Sequence, residues 1–220
     1  QNYRENEILA AYRQNPNRKI LGTENGHDLS VWLALRDNAP YAGQFIWSGI
    51  DYLGESRVWP AISTPFGVID RAGGLRPRSY QRQSWWSDKP MVHIVRRIGR
   101  NEPSPVDPGY ELSTDDRFRV TQFSDWTPTN LQSHTETVEV YSNCDSVELF
   151  LNDKSLGAQE KPDNDSPRAW KVEFEPGTIK AVASNDGNVA ATQIYKTAAK
   201  ASKIRLNALR NTLSPSWDDV

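Results

Sequence analysis

The spacing of apolar residues changes period partway along this chain of 220 residues, and that change limits the folds open to it. In the first part, Ile8, Leu9, Ala11 and Tyr12 fit one helical stripe over Glu5 to Gln14, and Leu29, Trp32, Leu33 and Leu35 fit a second. Lys19 to Thr23 and Gly43 to Trp47 read as strands set between and after them, with Asn15-Pro16-Asn17 and Asp37-Asn38-Ala39-Pro40 as breaks. The order helix, strand, helix, strand predicts a parallel sheet covered by helices. From Val138 onward the period is two, through Val138 and Val140, then Val147, Leu149 and Leu151, then Trp170, Val172 and Phe174, then Ile179, Ala181 and Ala183, then Val189 and Ala191. Such segments are strands with one buried face. One chain therefore carries two domains of different class, α/β and all-β.

Turn chemistry sharpens the second of them. Asn152-Asp153, Pro176-Gly177 and Asp186-Gly187 fall between the alternating segments at regular spacing and predict hairpins, hence a β-sandwich of immunoglobulin type over residues 117–198. Upstream, Asp51 to Leu75 is a long irregular stretch of the kind that is usually functional. A helix is expected around Ser79 to Trp86, and Met91 to Arg97 reads as a strand leading out of a first domain that occupies 1–98. Pro103, Pro105 and Pro108 mark 99–116 as a linker. Residues 199–220, from Lys203-Ile204-Arg205-Leu206 onward, read as the cut-off opening of a further β module. Truncation is expected at both ends, since Gln1 is not an initiator methionine and two strands cannot close an eight-stranded barrel of about 250 residues. If the first domain is a barrel, the chain holds its last quarter.

Composition excludes some partners. Net charge is −2 and no long run of Lys or Arg occurs, so the electrostatic footprint of a nucleic-acid binder is missing. No segment approaches the roughly 18 apolar residues of a membrane span. Cys144 is the single cysteine, which excludes an internal disulfide; lacking a nearby His in sequence, it reads as a small buried side chain and not as a nucleophile. Tryptophan is abundant, with Trp32, Trp47, Trp59, Trp85 and Trp86 in the first part; indoles stack on sugar faces but also fill cores.

The candidate for chemistry is Glu24. The apolar run before it ends in Asn25-Gly26, which turns the chain at once, so the carboxylate points from the end of a strand. Loops at the carboxyl ends of parallel strands form the cleft in α/β folds. The competing reading is a surface glutamate that opens a loop.

With these residues laid out, the first hundred positions resemble the carboxyl end of the catalytic barrel of glycoside hydrolase family 2 enzymes, bacterial β-galactosidases in particular. The likeness rests on Asn2-Tyr3-Arg4-Glu5-Asn6, Gly22-Thr23-Glu24-Asn25-Gly26-His27, and the run from Gly43 to Tyr52. It continues through Trp59-Pro60, Phe66-Gly67-Val68-Ile69-Asp70 and Tyr80-Gln81-Arg82-Gln83-Ser84. The second half is similar to the immunoglobulin-like modules that follow that barrel, through Val147 to Asn152, and Ser214 to Asp219 resembles the start of another.

The resemblance implies a multidomain protein: the C-terminal portion of a (β/α)8 TIM barrel, then an immunoglobulin-like β-sandwich. It implies Glu24 as the nucleophile of a retaining exo-β-galactosidase and Tyr3 as the phenol that orients it. Substrate contacts fall to His27, Trp47 and Asp51, with two alternatives kept open: His27 as a loop histidine bonded to backbone, and Asp51 as a residue that orders its loop. Retention needs a second carboxyl group about 5 to 5.5 Å away. The family's acid/base glutamate lies in an Asn-Glu pair on an earlier strand; Asn6-Glu7 sits in the first helix and is not assigned to that role. These 220 residues alone are therefore expected to be inactive. The implied partner is a carbohydrate substrate, with no cofactor, metal, nucleic acid or membrane, a possible homo-oligomer through the full-length protein, and a lean towards a periplasmic or secreted location. Alternatives are another family 2 glycosidase, a β-glucuronidase or β-mannosidase, or a non-catalytic carbohydrate-binding or structural module.

Overall fold

The computed structural model describes residues 2–39, 41–55, 63–98 and 121–206. Helix α1 (Glu5–Gln14) carries Glu5 and Glu7 in its first turn and Arg13 in its last, each complementing the helix dipole. Strand β1 (Ile20–Asn25) follows, then α2 (Leu29–Arg36) and β2 (Tyr41–Ile46). β1 and β2 pair in parallel, with Ile20 opposite Tyr41 and Asn25 opposite Ile46. On the other flank of β1, Asn2 bridges Glu24 in parallel, and the Tyr3 N–H donates to the Glu24 carbonyl at 3.0 Å. The expected strand–helix–strand alternation is thus present. A closed barrel is not seen among the described residues.

Among the described residues after β2 come a short antiparallel pair, β3 (Tyr52–Leu53) and β4 (Ser63–Thr64), then α3 (Pro77–Trp86), which starts on a proline suited to a first helical turn. Gly67 makes this folding possible. A Cβ there would lie 2.2 Å from the Asp51 backbone nitrogen and 2.5 Å from the Ile69 carbonyl oxygen, so only glycine allows these backbones to approach.

The second unit is built from two four-stranded antiparallel sheets. Its strands are β5 (Val92–Arg97), β6 (Gln122–Phe123), β7 (Thr135–Ser142), β8 (Ser146–Leu151), β9 (Lys154–Glu160), β10 (Arg168–Glu173), β11 (Thr178–Asn185) and β12 (Asn188–Lys196). One sheet has the order β10-β7-β5-β6 and the other β12-β11-β8-β9. Their facing sides share one core that includes Ile94, Trp126, Val138, Val140, Leu149, Trp170, Phe174 and Ile179. Buried residues alternate with exposed ones along β10 and with half-buried ones along β8 and most of β11, as one dry face per strand requires. Trp126 is fully buried and satisfies its indole N–H on the Glu175 carbonyl at 3.1 Å. Cys144 is free and buried in the same core, as its sequence context suggested.

Three expectations need correcting or bounding. The strand over Met91 to Arg97 does not lead out of the first unit; β5 pairs along its length with β7, from Val92 opposite Ser142 to Arg97 opposite Thr137. Four consecutive residues of β5 are buried because it is an interior strand with the core on one side and α3 on the other. Pro176-Gly177 is not a hairpin turn either, since it joins β10 to β11 in the other sheet. Asn152-Asp153 and Asp186-Gly187 are hairpin turns, both with two successive positive φ angles, 50° and 63°, then 49° and 75°. The expected linker 99–116 and most of 199–220 lie outside the described residues, and 199–206 carry no regular structure.

His93, on β5, links α3 to β12 of the other sheet. Its ring stacks on Tyr80 of α3, centroids 3.4 Å apart, while Nδ1 accepts from Gln193 Nε2 at 3.0 Å and Nε2 donates to Ser124 Oγ at 2.8 Å. Burial lowers its pKa from the ordinary 6.5 to about 4. Below pH 6.5 the unfolded chain gains a proton that the folded one refuses, so stability is full above that pH and falls until about pH 4. By pH 5 this residue is expected to have cost about 2 kcal/mol. Urea unfolding at pH 7.5 and 5.0 checks it: the chain should lose about 2 kcal/mol more between the two than His93→Asn does, and equal losses would mean that His93 titrates normally.

Candidate active site

Glu24 occupies the penultimate position of β1, where the strand gives way to the Asn25-Gly26 turn. Its carboxylate is approached by both residues of the neighbouring segment. Asn2 Nδ2 donates to Oε2 at 3.3 Å, and the Tyr3 phenol hydrogen-bonds the same side chain. Tyr3 reaches it from a left-handed backbone conformation, φ 50°, which few residues of its kind adopt. Burial, and then the hydrogen bond and charge of Glu24, push the Tyr3 pKa from 10.0 up to about 12. The phenol therefore stays protonated and donates to the Glu24 carboxylate. Behind the strand end, buried Asn25 donates through Nδ2 to Glu5 Oε1 at 2.6 Å, tying β1 to α1.

Trp47 follows β2 and is fixed to β1 by its own N–H on the Asn25 carbonyl at 2.9 Å. Its indole N–H donates to the Tyr52 hydroxyl at 3.1 Å, and Tyr52 in turn donates to Glu55 Oε2 at 2.6 Å. The two rings meet edge to face, centroids 5.7 Å apart, and the indole remains 40% exposed. An indole so held presents an apolar face that can stack on a sugar ring. Tyr3 and Tyr52 lie within electrostatic reach of each other, so Tyr3, Glu24, Tyr52 and Trp47 form one neighbourhood.

His27 and Asp51 stand differently. His27 Nε2 donates to the Phe66 carbonyl at 2.8 Å, and Nδ1 is buried with no protein partner among the described residues. Burial, together with the charge of Arg78 and against the pull of the Phe66 carbonyl, lowers its pKa to about 4, so the imidazole is neutral. The geometry is that of the loop histidine bonded to backbone. Asp51 is 5% exposed; its Oδ1 accepts from the Gly67 N–H at 2.8 Å and its Oδ2 from Arg76 Nη2. Each oxygen thus takes one bond from the stretch that carries Gly67 and Arg76. Tyr52 and Glu55, which hold Trp47, were not legible as site residues, since nothing in their local pattern marks a link back to the indole. Among the described residues no cluster of three or more His, Cys, Asp or Glu is placed to hold a metal ion, and no helix is long and apolar enough to cross a membrane.

A carboxylate at a parallel strand end, oriented by a phenol and an amide beside an anchored indole, can attack an electrophilic carbon of a sugar if a second acid is supplied. Comparison with known proteins finds relatives named as glycosidases. β-Galactosidase BoGH2A of Bacteroides ovatus is 34% identical over 198 residues, covering 89% of this chain and 20% of that protein. A putative β-glucuronidase of Formosa agariphila is 31% identical over 197 residues, 86% of this chain and 16% of its own length. Among solved structures, a glycosyl hydrolase family 2 member from Bacteroides cellulosilyticus matches with a TM-score of 0.78 and 32% identity, over 95% of this chain and 28% of that one. Residues 134–191 match a family model described as a domain of unknown function, DUF4982.

The relatives and the matched structures together define a member of a glycosidase family. The chain belongs to glycoside hydrolase family 2. It spans about a fifth of the length of the Bacteroides ovatus relative.

Proposed function

We propose that this chain is the part of a retaining, exo-acting β-galactosidase that carries the nucleophile, Glu24, at the end of a (β/α)8 barrel followed by an immunoglobulin-like sandwich. The observation that carries the reading is the protonated Tyr3 phenol hydrogen-bonded to Glu24 at the end of β1. In this mechanism Glu24 attacks the anomeric carbon, a second carboxyl group outside the chain protonates the leaving oxygen, and water then releases the sugar. Trp47 stacks on the sugar, while His27 and Asp51 shape the loops around it. The barrel is supported by the parallel β1–β2 pair and by Leu21 and Phe45, which stand 42% and 63% exposed on strands of a kind normally covered on both faces. We place the boundary between the units just before β5, on the strength of its pairing with β7. A galactoside is favoured by the Bacteroides ovatus relative, whose name states that activity. A glucuronide is the second reading, favoured by the Formosa agariphila relative.

The test is hydrolysis of nitrophenyl β-galactoside and β-glucuronide by a polypeptide extended upstream to the length of its relatives. Release from the galactoside supports the first reading, release from the glucuronide alone the second, and release from neither points to a non-catalytic module. The 220 residues alone are expected to release nothing. In the extended form Tyr3→Phe should lower kcat by roughly 10- to 100-fold, the worth of one hydrogen bond to a charged group. A rate within twofold would remove Tyr3 from the mechanism.

A further inference from the structure

The segment between β9 and β10 reaches out of the second unit and grips both α2 and α3. Asp165 is its centre. Its carboxylate accepts from Arg36 Nη1 at 2.7 Å and from Trp32 Nε1 at 3.1 Å, and its backbone carbonyl accepts from Trp85 Nε1 at 3.0 Å. Arg36 Nη1 also reaches the Asp163 carbonyl at 3.2 Å, and Lys161 lies 3.6 Å from the other carboxylate oxygen. Asp165 holds a left-handed backbone conformation, φ 52°, which a non-glycine residue keeps only where its surroundings impose it. Two helices and a sheet loop are thus locked through one residue.

From this grip a continuous set of contacts runs to the turn after Glu24. Trp85 lies flat against Trp32, planes 1° apart and centroids at 5.6 Å. Arg82, one helical turn before, lays its guanidinium 4.9 Å from the Trp85 centroid and 5.4 Å from that of Trp86. It is 3% exposed, and it donates through Nη2 to the Gly26 carbonyl at 2.9 Å and through Nη1 to Gln44 Oε1 at 3.3 Å. Gly26 is the residue between the end of β1 and His27. An arginine buried against indole faces and spent on that carbonyl fixes where the turn can sit.

We propose that Asp165 and Arg82 are positioning residues for the Asn25–Asp28 turn, and through it for the Glu24 carboxylate, so that the second unit sets the rate of glycoside cleavage without touching the sugar. The consequence for rate rests on the glycosidase reading; the consequence for the turn does not. A misplacement of about 1 Å in a reacting group can cost on the order of 100-fold in rate.

The experiment takes Arg82→Met, Arg82→Lys and Asp165→Asn in the extended polypeptide and reads kcat, KM and hydrogen exchange of peptides covering residues 24–28, β7 and β11. Arg82→Met should raise exchange in 24–28 by about tenfold and lower kcat by roughly 10- to 100-fold with KM nearly unchanged, leaving β7 and β11 as they were. Asp165→Asn should move the same two readouts by less, and Arg82→Lys should recover part of both. If Arg82→Met does not fold, the other two variants carry the same comparison. Unchanged exchange in 24–28, or exchange rising equally in all three peptides, would overturn the proposal. If the polypeptide hydrolyses no glycoside, the functional reading fails on its own, and the exchange pattern still decides whether these residues hold the turn.

Discussion

In the extended polypeptide, Glu24→Gln is expected to lower kcat on nitrophenyl β-galactoside by roughly 10^4- to 10^6-fold, the scale on which removing a nucleophile or its activating partner acts in other hydrolases. The substitution is close to isosteric. Glutamine keeps an oxygen for the Tyr3 phenol and for Asn2, so the contacts that place the side chain at the end of β1 survive. What is lost is the negative charge that attacks carbon, and no neighbour replaces it: Glu5 is engaged with Asn25, and Glu55 with Tyr52. KM should change by less than tenfold, because Trp47 and the loop around Asp51 are untouched. A second readout identifies the covalent step itself. A 2-deoxy-2-fluoro galactoside, which forms the glycosyl-enzyme but releases it slowly, should add its sugar mass to the peptide containing Glu24. Glu24→Gln should show no such addition. A variant that keeps its rate within tenfold, or a label found on another residue, would end the assignment.

How far the sequence reached depended on whether a residue's role is set by its neighbours in the chain or by a distant element. The strand-end place of Glu24 was legible because strand content before it and Asn25-Gly26 after it are local, and the structure ends β1 at Asn25. Both helical stripes of the first unit were legible for the same reason, and α1 runs over Glu5–Gln14 as its stripe predicts. The alternation in β8, β10 and β11 marked the dry face of each strand, but not which strand it meets. Pairing of β5 with β7 joins residues some 45 positions apart, and nothing within Met91 to Arg97 reports it. The same limit hid Asp165: a polar loop residue between two strands gives no sign that two indoles and a guanidinium from the first unit converge on it. Asp51 was ambiguous in sequence because an aspartate after a strand serves a loop or a ligand equally well. Its partners, the Gly67 N–H and Arg76, settle its present bonding and come from later in the chain.

Arg168 is a residue whose loss should cost the fold heavily, and alternation alone conceals it. It stands on β10 in phase with Trp170 and Val172, at an inward position where a charge is not expected, and is 2% exposed. Its guanidinium has no carboxylate contact among the described ion pairs. Instead Nε donates to the carbonyls of Gln159 at 3.0 Å and Glu160 at 3.2 Å, Nη1 to that of Ser142 at 3.3 Å, and Nη2 to those of Cys144 at 2.6 Å and Asp145 at 3.1 Å. These carbonyls lie at the ends of β7 and β9 and in the link to β8, so one side chain ties strand ends from both sheets. Burial pulls its pKa down, against the nearby negative groups, yet a guanidinium begins so high that it remains charged. Arg168→Met preserves the aliphatic stem and removes every donor, leaving the carbonyls of the buried residues Ser142 and Cys144 without it. At about 1 to 3 kcal/mol for each of these two buried groups, the expected loss is on the order of 4 kcal/mol. That corresponds to a fall in Tm of roughly 15 to 30 °C for a unit of this size. Arg168→Lys should fall between, since an ammonium offers three donors from a single point and cannot span the same carbonyls. The control is Lys171→Met on the outer face of the same strand, expected within about 0.5 kcal/mol of the native chain. Urea unfolding followed by the fluorescence of buried Trp126 and Trp170 reads all three. A cost below about 1.5 kcal/mol for Arg168→Met would mean that the strand ends find other partners, and that the sheets are held by their apolar faces alone.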